Sequence, residues 1–281
     1  MPRCGLPTCS GPISLRRICV RRWTSLARAR GVLVDVDPVS VPLEAVQRKN
    51  ADLPVRVASA VVMLAIAGAA FWAGGLVLDL FVAAVAFGVF VEYVLLVSKI
   101  ADSPARLGPM VIAGAIYIGW AGLALAVMPD VMMLVVLGLV IFTDTGAYFT
   151  GRSLGGPKIA PKISPSKTWS GLLGGMAAAG IWAGVCVLGA NYLESSLGPT
   201  GPSVAAAFRA TDLAVAAISG AVLAVFAQAG DFYESWLKRR AGVKDSSRLI
   251  PGHGGLFDRL DGLLPVAIIV GTVWAASQAA G

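Results

Sequence analysis

Between residues 231 and 262 the sequence DFYESWLKRRAGVKDSSRLIPGHGGLFDRLDG sets Asp231, Glu234, Asp245, Asp258 and Asp261 among Lys238, Arg239, Arg240, Lys244, Arg248 and Arg259. Carboxylates bind hard cations such as Mg²⁺ through oxygen, whereas Lys and Arg neutralise phosphate oxygens. Both sets in one stretch predict a metal and phosphate site, with Asp231 and Asp258 as the metal ligands. The turn Pro251–Gly252–His253–Gly254–Gly255 has a backbone free to take unusual dihedrals and approach a ligand closely, so phosphate is expected against its N–H groups. The chain's single histidine, His253, is assigned to fixing that turn or hydrogen-bonding phosphate rather than to general base work. A helix starting near Leu256 puts Asp258 and Asp261 three apart on one face at its positive end. Neighbouring acids there repel unless a cation lies between them.

Two further acids sit inside apolar stretches, where an unpaired charge is expensive and a functional or ion-paired role is the default. Asp144 is assigned to catalysis or ligand binding. Glu92 is weighed against simple pairing with a loop arginine.

The elements that must position these groups are membrane helices. With 57% hydrophobic and 14% charged residues in 281 and a mean hydropathy of +0.77, the chain is too apolar to clothe itself with a soluble surface. Runs able to cross about 30 Å of hydrocarbon lie near 57–75, 76–97, 108–128, 131–149, 171–192, 213–230 and 263–280. The expected fold is therefore all-α and polytopic, with about seven transmembrane helices and eight or nine as the upper count. The least secure point is the hairpin at Gly74–Gly75, which leaves almost no loop. Gly171 and Gly175 form a small-residue pair suited to helix packing.

If the amino terminus is cytoplasmic, segments 1–56, 98–107, 150–170 and 231–262 all face the cytoplasm and hold 22 of the 23 Lys and Arg residues, leaving only Arg209 outside. That asymmetry fits the positive-inside rule. It places the motif loops in the cytoplasm and the carboxyl terminus outside. The formal charge of +7 is assigned to anionic lipid headgroups rather than to nucleic acid. Cys4, Cys9, Cys19 and Cys186 lack a repeated metal-ligand spacing, which argues against structural zinc or a disulfide framework. Residues 1–53 are expected to be a basic, disordered extension without the apolar core of a signal peptide, a polybasic lipid-surface anchor being the alternative, and 54–281 the transmembrane domain.

Ser235, Leu237, Lys238 and Arg239, followed by Lys244, Asp245, Ser247, Ile250, Pro251, His253, Gly254, Gly255, Leu256, Asp258, Arg259, Leu260 and Asp261, resemble the signature of the phosphatidate cytidylyltransferases. Ser247 stands where many members carry glycine. Residues 143–171 are similar to the family's other cytoplasmic stretch, in Asp144, Ser164, Pro165, Lys167 and Thr168, while Ser166 and Ser170 depart from it.

The resemblance implies transfer of the cytidylyl group of CTP to phosphatidic acid, giving CDP-diacylglycerol and pyrophosphate, in the inner membrane with the site facing the cytoplasm. It implies Asp144, Asp231, Asp258 and Asp261 as catalytic residues. Ser164, Lys167, Thr168, Lys238, Arg239, Lys244, Asp245, His253, Gly254, Gly255 and Arg259 would bind substrates. Mg²⁺ would be the cofactor, a second monovalent cation being left open, and a homodimer the assembly. A CTP-dependent lipid-alcohol kinase is the enzymatic alternative. A transporter is the alternative of another class, but it predicts midplane charges and internal repeats, which this sequence does not display.

Overall fold

The computed structural model describes residues 43–197, 209–247, 249–250 and 254–280. By its contacts the chain divides into Met1–Leu53 and Pro54–Gly281. Residues 1–42 of the expected extension lie outside the described residues, and the chain is already helical from Leu43.

Helix α1 (Leu43–Ala73) ends at Gly74, and α2 (Gly75–Ser98) starts at once. The abrupt reversal uses the left-handed φ of +60° at Gly74 and +48° at Gly75, which only glycine adopts without strain. Then come α3 (Pro104–Val127), α4 (Asp130–Leu154), strands β1 (Lys158–Ala160) and β2 (Ser164–Thr168), α5 (Trp169–Leu197), α6 (Ala210–Arg240), the single turn α7 (Phe257–Leu260) and α8 (Leu263–Ala280). Six of these helices are long and apolar enough to cross a bilayer, and Val57–Ala73 adds a shorter apolar stretch. The protein is an integral, polytopic, all-α membrane protein, and each expected span falls on one of its helices.

Two features depart from the sequence reading. The loop at 150–170 contains an antiparallel hairpin, β1 against β2, with Lys158 opposite Thr168. Its β-branched residues are few and Pro161 and Pro165 interrupt it, so no alternating pattern announces it. The stretch at 231–262, expected as loop, continues α6 as far as Arg240. Ion pairing of Glu234 with Lys238 one turn later and three basic residues in the last turn favour that extension. Gly242, at φ +69°, then stops the helix, with Val243 N–H donating to Lys238 O at 3.0 Å.

One core joins α3, α4, α5, α6 and α8 around Leu139, Ala179, Ala227 and Val266. Another joins α2 and α3 to Leu237, Phe257 and Leu264. Gly171 and Gly175 pack α5 onto α4: an added β-carbon would lie 3.0 Å from Ala147 O and 2.9 Å from Thr143 O. These close approaches fix α5, which follows directly on β2, against α4.

Candidate active site

Four pieces of chain converge here: β2, the C-terminal part of α6, the described residues of 243–256 (243–247, 249–250 and 254–256), and α7 with Asp261 behind it. Lys167 Nζ on β2 lies 2.5 Å from Asp231 Oδ2 on α6, tying the two motif loops together. The Arg239 Nε–H donates to Ile163 O at 3.2 Å, a second tie between them. Asp144, exposed on α4, has Lys167 and Asp231 within electrostatic reach.

One and two turns beyond Asp231, Glu234 and Lys238 meet Asp258. Lys238 Nζ donates to Glu234 Oε2 at 2.7 Å and to Asp258 Oδ1 at 2.6 Å. Asp258 Oδ2 accepts from Ser246 N at 3.0 Å and Gly255 N at 2.8 Å, and stands 3.0 Å from Ser246 Oγ, whose single proton it shares with Glu92. Burial pushes the Asp258 carboxyl up, but hydrogen bonds with Glu234, Lys238 and the amides of Gly255 and Ser246 outweigh it and hold the group well below the usual carboxylate range. Asp261 behaves oppositely. Burial first, then the charges of Asp231 and Asp144, push it up to about 7 against the hydrogen bond from Gly262 N–H.

The turn's amides have a different use from the one expected. Gly255 N–H serves Asp258, and the next two amides, Leu256 and Phe257, serve Glu92 at 2.9 and 2.8 Å. Gly254 takes φ +84°, and a β-carbon there would stand 2.9 Å from Asp258 Oδ2. The glycines are thus required by the close approach of the chain's own carboxylates. The Gly255 amide, expected against phosphate, is bonded to Asp258 in this structure. His253, with Pro251, Gly252 and Arg248, lies outside the described residues.

Other expected substrate contacts separate in the same way. Ser164 and Thr168 are buried at the two ends of β2. Thr168 Oγ1 accepts from Gly171 N at 3.1 Å and so caps the start of α5, which explains its burial better than a substrate contact does. Only Lys167 of the hairpin candidates reaches the acids. Lys244 and Asp245 are exposed just after α6, and Arg259 is exposed on α7.

Sequence reasoning passed over Glu234, although its spacing to Lys238 signalled a pair. It weighed Glu92 with an arginine, whereas the partners are Ser246, Ser247 and two amides. Nothing in sequence marked Ser246.

Among the described residues no three His, Cys, Asp or Glu side chains form a ready metal cage. Mg²⁺ seldom uses one, because it keeps waters and substrate phosphates in its shell. The donor set fits such an ion at the Asp144, Asp231 and Asp261 end, where carboxylates act on one another and Lys167 is the ammonium paired to Asp231. Glu234, 1% exposed, pairs with Lys238 through Oε2 and leaves Oε1 without a hydrogen-bond partner. Asp258, expected as the second ligand, carries Lys238 on one oxygen and two amides with a shared hydroxyl on the other, so a cation gains Oδ1 only by displacing Lys238.

Residues 109–276 match the cytidylyltransferase family. The chain is 40% identical over 164 residues to a phosphatidate cytidylyltransferase of Brucella melitensis, covering 56% of this chain and 54% of that protein. It is 43% identical over 133 residues to one of Haemophilus influenzae, covering 47% and 41%. For one of Pseudomonas aeruginosa the figures are 34% over 166 residues, covering 57% and 55%. The matched stretch thus spans about half the length of these relatives.

Proposed function

Because this chain belongs to the cytidylyltransferase family, we propose that it transfers the cytidylyl group of CTP to phosphatidic acid, forming CDP-diacylglycerol and pyrophosphate. The observation that carries this reading is the convergence of Lys167, Lys238 and the acids at 144, 231, 258 and 261. Two of its ties join hairpin to helix, so a polyphosphate held there meets cations from both motif loops.

In this reaction a phosphate oxygen of the lipid attacks the α-phosphorus of CTP, the bond to the β-phosphate breaks, and pyrophosphate leaves. The attacking oxygen is already anionic at neutral pH, so no activated serine or cysteine is needed. Catalysis then consists of positioning and charge neutralisation. Lys167 and Lys238 supply ammonium groups that exchange carboxylate for phosphate oxygens, and Arg239 holds the hairpin beside them. Asp231 and Asp261, with Asp144 nearby, would hold Mg²⁺, and Asp258 adds Oδ1 where Lys238 leaves it. The ion would neutralise charge on the nucleotide phosphates.

The same reading places the protein in the inner membrane with the site facing the cytoplasm, supported by the distribution of 22 of 23 Lys and Arg residues. There CTP comes from solution and phosphatidate from the leaflet. The homodimer implied by the resemblance belongs to it as well.

The test is an assay of purified protein in detergent with phosphatidic acid, Mg²⁺ and CTP labelled at either the α- or the γ-phosphate. The α-label should enter a lipid-soluble product and the γ-label should leave as pyrophosphate. Transfer of the γ-label to a lipid would establish a kinase instead, and no labelled lipid with either would defeat the reading.

A further inference from the structure

We infer that Glu92 is a positioning residue for the proposed cytidylyl transfer: from inside α2 it sets the place of the Asp258 carboxylate by joining Ser246 and Ser247 to Leu256 and Phe257. The inference rests on that functional reading. Helix α2 lies outside the residues 109–276 matched to the family.

Glu92 is 3% exposed, in an apolar helix where a carboxylate is costly unless its oxygens are satisfied. They are. Oε1 accepts from Ser247 Oγ at 2.7 Å and Leu256 N at 2.9 Å. Oε2 accepts from Ser246 Oγ at 2.8 Å and Phe257 N at 2.8 Å. The serines precede the turn and the amides follow it, so one side chain pins both ends.

Asp258 is joined to the same parts. The Ser246 hydroxyl stands between Glu92 Oε2 and Asp258 Oδ2, and the Ser246 amide donates to Asp258. The amides of residues 255, 256 and 257 are divided between the two acids, the first to Asp258 and the others to Glu92. No side chain fits between: a β-carbon on Gly255 would run into both Ser246 Oγ and Glu92 Oε2. The neighbours of Glu92 on α2 complete the seat. Leu256 packs over Gly88, where a β-carbon would come within 3.0 Å, and the Tyr93 ring meets Phe257 edge-on at 6.1 Å.

The two amides can only donate to Glu92, whereas the two hydroxyls can donate or accept. Glutamine has one acceptor oxygen and an NH₂ that would face one of the amides, although its shape is nearly the same. Glu92→Gln therefore releases one of the two amides while preserving packing.

The experiment compares the full chain with Glu92→Gln, Ser246→Ala and the double variant in detergent. Hydrogen exchange over residues 243–260 reads the clamp without any reaction. Kinetics with CTP and phosphatidic acid read its consequence. In Glu92→Gln, exchange should rise at least about ten-fold at Leu256 or at Phe257, whichever faces the NH₂. Turnover per folded molecule should fall at least about ten-fold with the KM for CTP within about three-fold, and the double variant should be within about two-fold of Glu92→Gln. A merely structural role would lower the melting temperature and the folded fraction and leave turnover per folded molecule unchanged. That outcome, unaltered exchange, or independent losses that multiply in the double variant would each overturn the inference. If Glu92→Gln does not insert, Ser247→Ala carries the test, since it deletes one donor: faster exchange at Leu256 and slower turnover support the clamp, and no change in either refutes it. Should the parent protein form no lipid-soluble nucleotide, the functional reading fails and the role in transfer with it, while the exchange result separately decides whether the clamp exists.

Discussion

Lys167 on β2 and Asp231 on α6 stand 2.5 Å apart, with side chains only 17% and 30% exposed, so the hairpin and the helix meet through a largely desolvated ion pair. The Lys167 ammonium also lies 5.5 Å from the centre of the Phe232 ring. A lysine held in this way is oriented before substrate arrives. Lys167→Met keeps most of the stem and removes the charge. Turnover with CTP should fall at least about 100-fold, as loss of a main electrostatic stabiliser does elsewhere, and Lys167→Arg should recover part of it. Near-normal turnover in Lys167→Met would make the pair purely structural.

Thr168, one residue later, gives a contrasting expectation. Its hydroxyl accepts the Gly171 amide at 3.1 Å and shares a 3.0 Å contact with Ser170 Oγ, which in turn donates to Gly155 O. Thr168→Ala should cost about 1 kcal/mol of stability through the lost helix cap, with the KM for CTP unchanged. Thermal unfolding in detergent measures the first and steady-state kinetics the second. A large rise in KM would return Thr168 to the substrate-binding residues.

The bundle was legible because hydrophobic run length answers to bilayer thickness, and the site's chemistry because Asp, Lys and Arg cluster nowhere else in this density. What could not be read was which acid meets which base. Asp231, Glu234 and Lys238 continue a helix, so their partners are set by where β2 and α7 dock, and that depends on contacts far apart in sequence, such as Glu92 with Phe257. The hairpin was hidden by its prolines. Gly255 was correctly singled out for close approach, but the oxygens approaching it belong to the chain itself.

Asp261 gives a stability signature. Its carboxyl is held up to about 7, chiefly by burial and then by Asp231 and Asp144, with Gly262 N–H and Glu234 opposing. Between the ordinary carboxyl range near about 4 and about 7, the folded protein keeps a proton that the unfolded chain has released, so stability falls as pH rises through that window. In metal-free detergent solution the melting temperature should therefore decline across it, and Asp261→Asn should flatten the decline. Added Mg²⁺ should also flatten it, because a cation favours the charged carboxylate. An identical slope in Asp261→Asn would show that another group is responsible.

Asp231 and Asp258 are both acids of the motif, yet their surroundings separate the outcomes of removing one negative charge. Asp→Asn preserves size and removes the charge that binds a cation. At Asp231 the loss removes the proposed seat of Mg²⁺ and leaves Lys167 unpaired. Turnover should drop at least about 100-fold, and the Mg²⁺ concentration for half-maximal activity should rise. At Asp258 the asparagine keeps one acceptor oxygen, so its NH₂ displaces either Lys238, which retains Glu234, or the amides of Ser246 and Gly255; in the second case the segment should loosen and exchange faster. Activity should fall comparably, because Lys238 loses the charge of one of the two carboxylates that aim it, but with a smaller change in the Mg²⁺ requirement. Since both residues serve one site, the double variant should be little worse than Asp231→Asn alone. Arg240→Ala is the control within the same stretch: Arg240 lies 5.2 Å from the centre of the Trp236 ring and is exposed on the last turn of α6, so its loss should be mild. Titrating Mg²⁺ against turnover for each inserted variant measures the split. An equal and large shift in the Mg²⁺ requirement for both acids would make Asp258 a full ligand from the outset, and no shift in Asp231→Asn would remove the metal from the place assigned to it.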